Sequence, residues 1–75
     1  MEVDGFTFSE QVDEPELTYQ EIAATINHLK IYRVPGHYYV HDGMNNVWRE
    51  MTTQKDLNDI NVIEDLLQAH KMLNQ

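Results

Sequence analysis

Three β-prone runs lie between Ile31 and Met51, each set off from the next by a cluster that favours a tight turn. Ile31-Tyr32-Arg33-Val34 precedes Pro35-Gly36, His37-Tyr38-Tyr39-Val40-His41 precedes Asp42-Gly43-Met44-Asn45-Asn46, and Val47-Trp48-Arg49-Glu50-Met51 completes the series. Proline presets φ for the first central position of a type II turn, and glycine supplies the positive φ needed at the second. Asp-Gly is itself a hairpin signal. Connections this short join antiparallel neighbours, because a parallel pair needs a crossover of roughly a dozen residues. The segment is therefore expected to be an antiparallel meander of two or three strands. Strand alternation puts Val47, Arg49 and Met51 on one face with Trp48 on the other, and turns one of Tyr38 and Tyr39 away from whatever covers the sheet.

The flanks carry helical signals. Thr18-Tyr19-Gln20-Glu21 has the form of a capping box, and Tyr19, Ile22, Ala23, Ile26 and Leu29 recur at helical spacing, which predicts a helix over 19–29. Leu57, Ile60, Ile63, Leu66, Leu67, His70 and Leu73 trace a second helical face. They predict a helical region over 53–74 with Thr52 or Thr53 as N-cap, either one helix or a short one followed by a longer one from about 62. Near the N-terminus, Gly5-Phe6-Thr7-Phe8-Ser9 alternates apolar and polar residues in the manner of a strand. The expected fold is α+β: a small meander over 31–51, with 5–9 as a candidate additional strand, packed against helix 19–29 and the helical region 53–74. Residues 1–17 are expected to be an acidic arm or edge strand, and 18–75 a single domain.

The chain has 75 residues and no cysteine, so one core without a disulfide must hold it, with a thin stability margin. Leu, Ile, Val and Phe number 19, above the ~20% level below which disorder is the default for a highly charged chain. The opening Met1 without a tag suggests a complete small protein. The lack of a secretory signal, of cysteine and of an apolar run near the ~18 residues of a membrane span suggests a cytoplasmic one.

Charge is distributed unevenly. Seven acids (Glu2, Asp4, Glu10, Asp13, Glu14, Glu16 and Glu21) precede the first basic residue, Lys30, in a chain of net charge -8. Between 30 and 55, Lys30, Arg33, Arg49 and Lys55 outnumber Asp42 and Glu50, so the predicted sheet is slightly basic. Such a balance disfavours nucleic acid and anionic membranes and favours basic protein surfaces.

No constellation for chemistry is evident. The histidines (His28, His37, His41 and His70) show no metal-ligand spacing, since four residues along a strand separate His37 from His41 by ~13 Å. No cofactor is expected. Paired carboxylates such as Glu64-Asp65 need a cleft that separates their pKa values before they act as acid and base. Ser9 is the only serine and lacks a nucleophile motif. The expectation is a non-enzymatic binding protein.

The leading expectation is an acidic protein that inhibits or modulates a basic protein partner, with a nucleic-acid-binding protein as one candidate and carboxylates imitating phosphates. This plan resembles that of small phage anti-defence and host-takeover proteins. The partner-binding residues expected are Asp4, Glu10, Asp13, Glu14, Glu16 and Glu21, with Asp56 and Asp59 as a second patch and Tyr39 and Trp48 as aromatic anchors. The alternative is a regulatory or assembly module that binds through its aromatic hairpin and C-terminal helix, homodimerisation included. Thr18-Tyr19-Gln20-Glu21-Ile22-Ala23 also resembles the opening helix of helix-turn-helix domains, implying a transcriptional regulator, although no basic recognition helix follows Leu29. The α-β-β-β-α order resembles double-stranded-RNA-binding domains. Those carry basic residues at the start of the second helix, where this chain has Lys55 beside Asp56 and Asp59.

Overall fold

A computed structural model of the chain describes residues 2–3, 5–18 and 20–73. It is an α+β fold with six antiparallel strands and one helix: β1 (Glu2–Val3), β2 (Phe6–Phe8), β3 (Glu21–Ile26), β4 (Leu29–Val34), β5 (His37–Asp42), β6 (Val47–Thr52) and α1 (Ile60–Leu73). The strands lie in the order β1-β2-β6-β5-β4-β3. The meander predicted over 31–51 forms β4 to β6, and residues 6–8 join the sheet beside β6, with Phe8 opposite Met51.

The turns follow their residue chemistry. Val34 pairs with His37 across Pro35-Gly36, and Gly36 takes φ 81, as the second central residue of a type II turn requires. Asp42 pairs with Val47 across a four-residue loop that places Asn46 at φ 52. Gly43 is held by proximity: its amide donates to the His28 carbonyl at 2.8 Å, and an added Cβ would lie 3.2 Å from that oxygen.

The predicted helix over 19–29 is a correction. Residue 19 lies outside the described residues, 21–26 form β3, and 27–28 form a two-residue turn into β4. An isolated helix of eleven residues is marginal in water, whereas β3 gains a paired neighbour along its length. Asn27 at φ 55 ends any helical path at this point, and positive φ at the first central residue marks a primed hairpin turn. The capping box does not form: the Thr18 hydroxyl donates to the Glu16 carboxylate at 3.3 Å. In the segment resembling a helix-turn-helix opening, Glu21, Ile22 and Ala23 are thus strand. A bulge between Ile22 and Ala24 places Ile22 opposite Tyr32, where it is 53% exposed.

The C-terminal helix begins later than Thr53. Residues 53–59 form successive side-chain-stabilised turns. The Lys55 amide donates to Thr53 Oγ1 at 3.0 Å and the Asn58 amide to Asp56 Oδ1 at 2.9 Å. Asp59 is the N-cap: its Oδ1 accepts from the Asn61 amide at 2.9 Å, and its carbonyl accepts from the Ile63 amide at 3.1 Å. Residue 74, the expected end, lies outside the described residues.

The core lies between α1 and one sheet face. Ile63, Leu66, Leu67 and Ala69 of α1 pack with Phe6, Phe8, Leu29, Ile31, Val40 and Met51, and Leu57 belongs to the same cluster. Tyr38 joins this side, so Tyr39 occupies the opposite face, as strand alternation requires.

Candidate protein-binding surface

The acidic segment is tied to the sheet at both ends. Leaving β2, the Ser9 amide donates to the Glu50 carbonyl at 2.8 Å and the Val12 amide to the Trp48 carbonyl at 2.9 Å. Arg49 reinforces the junction by donating from Nη1 to the Ser9 carbonyl at 2.9 Å. The chain then runs from the β6 side to β3 on the far edge of the sheet. Pro15 and Leu17 are half-buried along the way, while Glu10, Asp13, Glu14 and Glu16 remain exposed. Among the described residues the ion pairs are His28–Asp42, Arg33–Glu21 and His37–Glu50, so the four carboxylates from Glu10 to Glu16 carry no intramolecular cation.

The other expected contact residues take different positions. Asp4 lies outside the described residues. Glu21 opens β3 and faces Arg33 at 3.7 Å, and the Arg33 Nη2 donates to Asn58 Oδ1 at 3.2 Å. That bridge links the start of β3 to the turns carrying Asp56 and Asp59. Both aspartates are engaged in local backbone hydrogen bonds, which accounts for them without a partner.

The aromatic residues form a cluster on the sheet face opposite α1. Trp48 lies between Tyr32, at a centroid distance of 5.3 Å, and His41, at 4.3 Å and 22°. It is only 7% exposed, so its role is packing. Tyr39 is half-buried. Burial, followed by the Glu50 charge beside it, raises its phenol above the ordinary value. His37 Nδ1 and Glu50 Oε1 are 2.7 Å apart on this face. The apolar face of α1 is occupied by the core, leaving Ile60 and Met72 as its exposed large apolar residues.

The polar contacts of Asp42, and the burial of His70, have no counterpart in the sequence reading. Asp42 is 3% exposed. Its Oδ1 accepts from the Met44 and Asn45 amides at 3.0 and 3.3 Å, its Oδ2 accepts from Asn45 Nδ2 at 3.0 Å, and His28 Nε2 lies 3.3 Å from Oδ1. Burial pushes the Asp42 carboxyl up, but the Asn45 side chain, the two amides and the His28 charge outweigh it and hold the carboxyl below its usual value. His70 of α1, fully buried, has its ring 6.2 Å from Phe8. Its position on the predicted apolar helix face was the one available signal. The approach of His28 to Asp42 was hidden because the two come from separate elements.

Among the described residues, no group of three or more His, Asp or Glu side chains is arranged to hold a metal ion. A cleft of about 460 Å³ is lined by Glu2, Gly5, Thr7, Thr52, Thr53 and Lys55 among others. No described helix is long and apolar enough to cross a membrane. Comparison of the chain with protein-family models, curated proteins and solved structures returned no match.

Proposed function

We propose that the chain is a small binding protein that presents carboxylates to a basic protein surface and thereby inhibits or modulates that partner. The supporting observation is the segment from Glu10 to Glu16: four exposed carboxylates with no ion pair among the described residues, on a backbone held at Val12 by β6 and continued at Glu21 into β3. Holding the segment at both ends lowers the ordering cost of association. Unpaired surface charge of one sign accelerates encounter with the opposite sign. A partner whose basic surface otherwise holds nucleic acid would be blocked by competition, with the carboxylates occupying phosphate positions.

The test is a capture from lysate, followed by affinity measurements on the purified partner at increasing salt. The expected result is a fall in affinity of about tenfold or more from low to high salt, mainly through the association rate. The combined substitution Glu10→Gln, Asp13→Asn, Glu14→Gln and Glu16→Gln should remove most of that salt dependence while leaving the unfolding midpoint in place. Affinity that is flat with salt would end this reading. Competition by an oligonucleotide would separate phosphate mimicry from binding at an unrelated basic patch.

A further inference from the structure

The sheet ends in two unlike edges. One is β1, of two residues, and the other is β3, of six. Edge strands are commonly blunted by lysine, proline or an inward-pointing charge, and residues 22–26 carry none of these. A bulge between Ile22 and Ala24 confines the regular ladder to residues 24–26. Ile26 faces Leu29 across the two-residue turn at 27–28, and such a turn closes with a hydrogen-bonded pair. Thr25, exposed and next in the alternation, therefore turns its N–H and C=O to the outer edge. Beside that edge lies a groove of about 270 Å³. Ile26, Leu29 and Leu67 supply its apolar walls, and Glu64, Gln68 and Lys71 line it along one flank of α1. Glu64 and Lys71 are exposed and form no ion pair among the described residues.

We propose that β3 is a dimerisation edge: two copies of the chain pair antiparallel about a two-fold axis at Thr25, which joins their sheets and sets Glu64 of each α1 towards Lys71 of the other. The outward N–H and C=O of Thr25 fix the register, because they meet those of Thr25 in the second copy as one reciprocal pair. Ala24 then lies opposite Ile26 of the second copy, a small residue against a large one. Both are on the α1 side of the sheet, since Ala24 pairs with Ile31 and Ile26 with Leu29. The groove borders Ile26 and the middle of α1 alike, so the axis passes beside Leu67 and Gln68. A two-fold axis runs the two helices antiparallel, and charges at 64 and 71, on either side of that midpoint, become complementary across the contact. A second copy is favoured over an unrelated strand because the same surface supplies both halves of these charge pairs. The uncharged edge also brings no like charges into contact at residues 22–26, in a chain of net charge -8. The carboxylates from Glu10 to Glu16 are anchored at β6, away from this edge, so the dimer does not depend on their role.

Sedimentation of the whole chain from about 10 µM to about 1 mM, a range suited to a small interface, tests this. The expected result is a reversible monomer–dimer equilibrium, with the Thr25 amide gaining protection from hydrogen exchange as concentration rises. Thr25→Pro removes that N–H at an edge position where proline is tolerated, and should stay monomeric while its circular dichroism is unchanged. Glu64→Lys and Lys71→Glu should each weaken self-association about tenfold. Mixed in equal amounts, these two variants should associate as the native chain does, because each then meets the opposite charge. That rescue decides the matter even where Thr25→Pro fails to fold. A strict monomer at the highest concentration would overturn the proposal. A dimer indifferent to both charge variants would place the contact elsewhere and overturn it equally, as would Thr25 protection that arises only with a different protein.

Discussion

The ring of His41 lies almost parallel to the indole of Trp48, 4.3 Å away, on neighbouring strands and on the sheet face opposite α1. The contact joins a half-buried imidazole to the only tryptophan of the chain. Aromatic pairs of this kind contribute about 0.5–1.5 kcal/mol beyond area burial. His41→Ala should lower stability by about 1 kcal/mol, and Trp48→Ala by about 3–5 kcal/mol, read from urea midpoints. If Trp48→Phe weakens partner binding tenfold while stability is preserved, Trp48 is an anchor for the partner rather than a packing residue.

The helix start gives a second outcome. Removing the Asp59 cap with Asp59→Ala should cost about 1 kcal/mol, whereas Asp59→Asn should cost a few tenths, because an amide oxygen can still accept from the Asn61 amide. Helical circular dichroism through urea unfolding checks this. Partner affinity should be unchanged in both variants, since this carboxylate serves α1.

Gly43 supplies a test of close packing. A methyl group at this position meets the His28 carbonyl at 3.2 Å, so Gly43→Ala should force the two turns apart at a cost of about 1–2 kcal/mol. The accompanying loss of the 2.8 Å hydrogen bond from Gly43 to His28 should appear as faster exchange of the residue 43 amide.

The acid limb of stability should carry the signature of Asp42. Its folded pKa is lowered, the hydrogen bonds and the His28 charge outweighing burial. The stability it contributes is therefore present above its unfolded value near 3.9 and is lost as pH falls through the lower folded value. Asp42→Asn should cost about 1–3 kcal/mol at neutral pH and flatten the stability profile below pH 4. An unaltered acid limb in that variant would assign the loss to other carboxylates.

The meander was legible because its information is local. Pro35-Gly36 and Asp42-Gly43 specify turns by backbone chemistry, and alternation then put Trp48 on the face opposite Met51 and one of Tyr38 and Tyr39 away from the covered face; the packing of Tyr38 on the core side decides that it is Tyr39. Residues 63, 66, 67 and 70 were legible as the buried side of α1 for the same reason. The strand at Glu21–Ile26 was not, because Ile22, Ala23, Ile26 and Leu29 satisfy a helical period. What decides against the helix is a partner strand and the positive φ of Asn27. The start of α1 was displaced because Thr53, Asp56 and Asp59 are all competent to cap, and only Asp59 precedes a helix. Of the expected contact residues, the exposed carboxylates were legible from charge alone. The burial of Trp48 depends on Tyr32 and His41, which lie on two other strands.

The pairing of β2 with β6 also has a consequence for the order of assembly. Thr7 and Phe8 pair with Thr52 and Met51, so the first strands synthesised have no sheet to join until the sixth has been made. The strands β3 to β6 close through short loops and can zip in sequence. The N-terminal hairpin must wait as a tethered segment until β6 is made, and its docking closes a long loop. During translation the acidic segment is consequently available to solvent and to partners before the sheet that will hold it exists.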